Sequence, residues 1–185
     1  MRKIAIIVGH NKRGQGAVRV TDGKTEFQWN SDLASRIRAY AEDDPYSEVR
    51  IFYRQTNMGY TKQIQDVYAR ADAWGADVTI ELHFNAAADA SASYTCTLSS
   101  GTAGSLALCE RLQAAQVRVM GLDDAGVKIR NRGGGRGWRS LWTGDAPAAL
   151  IEPYFGSNPR DCILADKRKD ELARALYEAA RESVA

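Results

Sequence analysis

A chain of 185 residues, 44% hydrophobic and 26% charged, suits one globular domain long enough to bury about 70% of its unfolded surface without disulfide support. A net charge of +2 is too slight to point to nucleic acid as a partner, and no apolar run approaches the ~20 residues that span a bilayer, so membrane insertion is not expected. Cys96, Cys109 and Cys162 are odd in number and lack CxxC spacing, which argues against a disulfide framework or a thiolate zinc site and marks them as buried thiols.

Met1-Arg2-Lys3 has the positive start of a signal peptide, but the apolar stretch that follows is too short and has no small-residue cleavage site. "KIAIIV" reads instead as a strand buried on both faces, ending at Gly9-His10. Residues 11–24 are polar and glycine-rich and read as a loop. Thr25 can cap a helix with Gln28 at the capping-box position, and Trp29, Leu33, Ile37 and Tyr40 line one face at helical spacing. "VRIFYR" predicts a second strand, and Ile64, Val67, Tyr68 and Ala71 a helix stopped by Gly75. "DVTIELH" and "SYTCTLS" predict a third and a fourth strand, and Leu108, Leu112, Ala115 and Val119 a helix ending at Gly121. Residues 123–147 read as loop-rich. "AALIEPY" is a last buried strand broken by Pro153, and Asp161 to Ser183 is helical, with Leu172, Ala175, Leu176 and Ala179 inward. The basic residues of that tail, Lys167, Arg168, Lys169, Arg174 and Arg181, could touch an anionic envelope, although packing against the sheet is the simpler role.

Strands alternating with helices predict a single α/β domain with helices on both faces of a sheet, and sites in such folds gather beyond the carboxyl ends of strands. His10, His83 and Glu152 all fall there. Two imidazoles and a carboxylate make a hydrolytic zinc site, with one coordination position left open. Glu26, in the first turn of its helix, is the best third ligand, with Asp22 the local competitor. Glu152 ends an apolar strand, where an ionisable group is costly unless paired or functional; it is the candidate general acid/base, unless an arginine explains it. Taken singly, a strand-end histidine is more often structural than metal-binding.

Together these residues resemble the zinc-dependent N-acetylmuramoyl-L-alanine amidases of the Amidase_3 type. "VGHN" resembles the family's Gly-His motif, Glu26 its helix-opening glutamate, "HFNA" its His-x-Asn-Ala motif, and "PAALIEPYFGSN" the late segment that carries its catalytic glutamate. The departures are "IVGHNKR" for Pro-Gly-His-Gly-Gly, and Glu81 and Leu82 where Ser-Ile is usual. The resemblance implies a twisted, mixed but mostly parallel sheet and one zinc per chain held by His10, Glu26 and His83. With Glu152 as the catalytic residue, it also implies hydrolysis of the amide between N-acetylmuramic acid and L-alanine of peptidoglycan. Asn85 is expected to hold the substrate or its loop. Arg130, Arg132 and Arg136 lie in a basic strip, Lys128 to Arg139, suited to peptide carboxylates or else merely solvated.

Two other functions remain open on the residues alone. One is a zinc carboxypeptidase or other peptidase cutting within the stem peptide. The other is a nucleic-acid platform built on the same strip with Trp138 and Trp142, which leaves both histidines and Glu152 unexplained. The expected organisation is one catalytic domain over residues 1–185, monomeric, without a separate wall-binding domain. It would be made in the cytoplasm without an evident export signal and act on the cell wall as a phage-type lysis enzyme.

Overall fold

The run Ile4–Val8 is wholly buried and forms most of strand β1 (Arg2–Val8), as an apolar run without polar alternation requires of a strand covered on both faces. The computed structural model describes residues 1–183. Around β1 the chain lays down β2 (Ser47–Tyr53), β3 (Val78–Leu82), β4 (Thr95–Ser99), β5 (Asp124–Ile129) and β6 (Ala148–Glu152) in one six-stranded sheet of order β2-β1-β3-β6-β4-β5. Neighbours pair in parallel except β4 with β6, which run antiparallel. The sheet is therefore mixed and mostly parallel.

Among the described residues five helices cover it: α1 (Glu26–Ala39), α2 (Tyr60–Trp74), α3 (Ala103–Met120), α4 (Trp138–Trp142) and α5 (Pro159–Ser183). Alternation along the strands divides the core. Ile4, Ile6, Val8, Ile80, Leu82 and Ile151 point to one face and pack with α1, α3 and α5. Ala5, Ile7, Leu98 and Leu150 point to the other and meet Ile64, Val67 and Tyr68 of α2 and Leu141 of α4. At about 25 cal/mol per Å² of apolar surface removed from water, these two layers provide the main stabilising term.

The register brings several strand ends together at one edge. Val8 lies opposite Leu82, Leu82 opposite Ile151, and Glu152 opposite Cys96, so the carboxyl ends of β1, β3 and β6 adjoin the amino end of antiparallel β4.

Residues 123–147 are loop-rich as expected, with loops at 130–137 and 143–147, but they also hold β5 and α4. β5 pairs on one side only and contains Asp124, Gly126 and Lys128, so an edge strand was hidden behind residues that weaken a strand pattern. α4 has five residues, too few for a periodic signal, and packs on β6. The basic residues of α5 are largely occupied within the fold: Lys169 pairs with Asp32, Arg181 with Asp44, Arg168 with Glu171 and Arg174 with Glu178. Among the described residues no helix is long and apolar enough to cross a membrane.

Candidate functional site

The loop after β1 turns sharply at His10, whose φ of 67° makes it the sole non-glycine residue with positive φ among those described. A left-handed conformation costs an ordinary residue about 1 kcal/mol or more, and here it turns the imidazole towards α1. Thr25 caps α1: its hydroxyl accepts from the Gln28 amide, and the Gln28 side chain accepts from the Thr25 amide. That box fixes Glu26 as the first helical residue. The Glu26 carboxylate also accepts from the backbone amides of Ala17 and Phe84, at 3.3 Å each.

His10 Nε2 lies 3.1 Å from Glu26 Oε2, and His83 Nδ1 lies 2.6 Å from Glu26 Oε1. The ligand atoms of the three residues all fall within 4.8 Å of one another. Asp22 is elsewhere, paired with Lys24 and Arg19. Two glycines permit this crowding. A Cβ at Gly16 would sit 2.7 Å from both Glu26 Oε2 and the His10 ring, and one at Gly9 would sit 2.5 Å from the His83 ring. Any side chain at either position would displace the cluster.

Electrostatics favour a cation here. Burial opposes the charge on Glu26, but its hydrogen bonds with His10 and His83 outweigh burial and hold the carboxyl far below its usual range. Burial likewise opposes protonation of His83, yet the flanking Glu26 and Glu81 carboxylates raise it to about 10. Two imidazoles converging on a buried carboxylate, with a positive charge called for between them, fit a divalent metal of the zinc type.

Glu152, at the carboxyl end of β6, stands apart from the cluster but lines the same cleft of about 780 Å³. Its Oε2 accepts from Asn85 Nδ2 at 2.7 Å and from the Cys96 thiol at 3.2 Å, leaving Oε1 without a protein partner among the described residues. No arginine pairs with it there. Burial and the Glu152 carboxylate push the Cys96 thiol up to about 12, so Cys96 is a neutral donor.

Arg130 and Arg136 line the cleft, joined by Lys128 over the Tyr94 ring and Arg139 over the Trp138 ring. Arg132 is placed differently: it stacks 4.9 Å from the Trp142 ring centroid and is not part of the cleft wall. Reading the sequence missed Cys96 as a cleft residue, named Lys128 and Arg139 only as the ends of the basic strip, and noted Glu81 only as a departure from the family motif, although it is fully buried against His83. A glutamate inside an apolar strand carried that signal.

The family model described as N-acetylmuramoyl-L-alanine amidase matches residues 4–182, nearly the whole chain. The chain belongs to the Amidase_3 family. The amidase is an enzyme that hydrolyses amide bonds of peptidoglycan, in a family that generally depends on a metal. Its fold is similar to that of the catalytic domain of CwlV, an N-acetylmuramoyl-L-alanine amidase from Bacillus (Paenibacillus) polymyxa var. colistinus. The two are 21% identical over 98% of this chain and 97% of that one, with a TM-score of 0.84. It is also similar to the N-acetylmuramoyl-L-alanine amidase of Clostridium difficile 630, at 22% identity over 96% and 94% of the two chains and a TM-score of 0.79. The catalytic domain of the CD27L endolysin targeting Clostridia difficile gives 24% identity, 97% coverage of both chains and a TM-score of 0.80. No curated protein matches the amidase at a significant level of sequence similarity.

Proposed function

We propose that this amidase cuts the bond between the lactyl group of N-acetylmuramic acid and L-alanine of the stem peptide, using one zinc ion held by His10, Glu26 and His83. The observation that carries the reading is the convergence of both imidazoles on Glu26, with an unligated Glu152 in the same cleft. Zinc, when bound, supplies Lewis acidity that activates water and polarises an amide carbonyl.

The chain's own residues do the rest. Glu152, held through Oε2 by Asn85 and Cys96, keeps Oε1 for the proton it takes from the attacking water. The same carboxyl then delivers that proton to the leaving nitrogen, so the C–N bond breaks to give a lactyl carboxylate and a free L-alanine amine. Lys128, Arg130, Arg136 and Arg139 suit a substrate rich in carboxylates, and Tyr94 and Trp138 beneath two of those cations hold the charges in place. We assign these residues to the peptide side of the scissile bond. A phage-type lysis role follows the same reading, supported by the fold shared with the CD27L catalytic domain.

Digestion of purified peptidoglycan, followed by mass analysis of the fragments and labelling of new amines, tests the assignment. Release of stem peptides beginning with a free L-alanine amine is expected, with about one zinc per chain by elemental analysis. New amines within the stem would assign a peptidase instead. Cleavage that persists in full after chelation would remove the metal from the account.

A further inference from the structure

Glu81 is the least expected charge in the molecule. It lies mid-sheet on β3, between Ile7 of β1 and Leu150 of β6, with no exposure to solvent. An ionised carboxylate in that position is costly, and even a well-paired one adds little net stability over apolar side chains of similar size. Its bonds lead in one direction. Oε1 meets the guanidinium of Arg54 and lies 2.7 Å from His83 Nε2, while Oε2 accepts from the Tyr68 hydroxyl at 3.0 Å. Arg54 is itself 6% exposed and Tyr68 fully buried, so the network is largely withdrawn from solvent.

His83 is thus gripped at both nitrogens. Nδ1 faces Glu26 at 2.6 Å and Nε2 faces Glu81 at 2.7 Å, from opposite edges of the ring. We infer that Glu81 is a positioning residue for the metal site: by accepting the Nε2 hydrogen it fixes the ring plane and tautomer of His83 and leaves the Nδ1 lone pair directed at the ion, while Arg54 and Tyr68 hold Glu81 in place. This rests on the metal reading above. A ligating histidine whose second nitrogen is tied to a carboxylate loses little ring freedom on binding and is a better donor, and removing such a partner ordinarily lowers metal affinity about 10- to 100-fold.

Removing Glu81 alone would strand Arg54, so the test uses two variants that differ only at residue 81. Glu81→Leu with Arg54→Met replaces the pair with apolar side chains, and Glu81→Gln with Arg54→Met restores an oxygen that can accept from Nε2. Zinc affinity of the metal-free proteins is measured by competition with a chromophoric chelator, after circular dichroism and cooperative melting have established folding. The leucine variant is expected to bind zinc about 10- to 100-fold more weakly than wild type, with the glutamine variant between them. Equal affinities in folded leucine variant and wild type overturn the inference while leaving the metal reading intact. A wild-type chain that takes up no zinc overturns both. Nitrogen NMR of zinc-loaded wild type gives an arm free of substitutions: a His83 ring proton on Nε2 and none on Nδ1 is expected, and a proton on Nδ1 overturns the inference even if the leucine variant fails to fold.

Discussion

Asn85 and Glu152 meet at 2.7 Å, the amide of the loop after β3 donating to the carboxylate that ends β6. The Asn85 backbone is fixed independently, its N–H donating to Tyr154 and its C=O accepting from Gly156. Asn85→Ala should therefore leave the loop in place while freeing the Glu152 carboxylate to rotate. We expect turnover to fall by up to about 10²-fold with zinc content unchanged, the scale of a misplaced catalytic group. Steady-state kinetics separate this from a substrate contact, which would raise KM and spare kcat.

The basic wall of the cleft gives a graded prediction. Replacing Arg130 and Arg136 with Gln should raise KM for peptidoglycan, most strongly at low ionic strength where exposed charges are least screened. Arg132→Gln should have a smaller effect, because Arg132 stacks on Trp142 outside the cleft wall. Binding isotherms at two salt concentrations check both. Equal effects at all three positions would show that the strip acts through general charge.

Much of this architecture was legible because local signals agreed with tertiary demands. Thr25 and Gln28 announced the start of α1, Gly75 and Gly121 the ends of α2 and α3, and apolar runs the buried strands. Glu26 could be chosen over Asp22 because it opens a helix. β5 was hard to read: Ala125, Val127 and Ile129 do alternate with polar positions, but Asp124 and Gly126 weaken the strand signal and the run into a glycine- and arginine-rich stretch hides where it ends. Glu81 was visible as a charge in an apolar strand, but its partners come from position 54, position 68 and the far side of His83, and only the fold brings them together.

Arg19 anchors the glycine-rich loop to α5. Its guanidinium is fully buried and bidentate to Asp166 at 2.8 and 2.6 Å, with a third bond to the Cys162 carbonyl. Arg19→Met should cost about 2 kcal/mol in urea denaturation, a figure held down because Asp166 is 42% exposed and partly screened. The pH dependence has a definite sign. Burial works against ionisation of Asp166, but the bonds from Arg19 and Trp29 prevail and hold it at about 2, below its ordinary value of 3.8. Its contribution is thus present above pH 3.8 and lost as pH falls through about 2. The stability gap between wild type and variant should narrow across that window, and a gap independent of pH would contradict the assignment.

Cys96 should be unreactive despite its place in the cleft. With its thiol at about 12 and the residue 1% exposed, thiolate is scarce at pH 8. Iodoacetamide is expected to leave Cys96 unmodified in the folded protein and to label it in denaturant, as peptide mass mapping would show. Rapid labelling of the native chain would mean that its bond to Glu152 is not maintained.

The central claim is that Glu152 moves the proton and does not hold the metal. Glu152→Gln keeps the side chain's shape and its bond to Asn85 is replaceable, while the basic oxygen is lost. Amide cleavage and zinc content, measured on the same preparation of this variant, are the direct test. The account predicts about one zinc per chain with turnover reduced on the order of 10²-fold or more. Near-normal cleavage with zinc bound would contradict it.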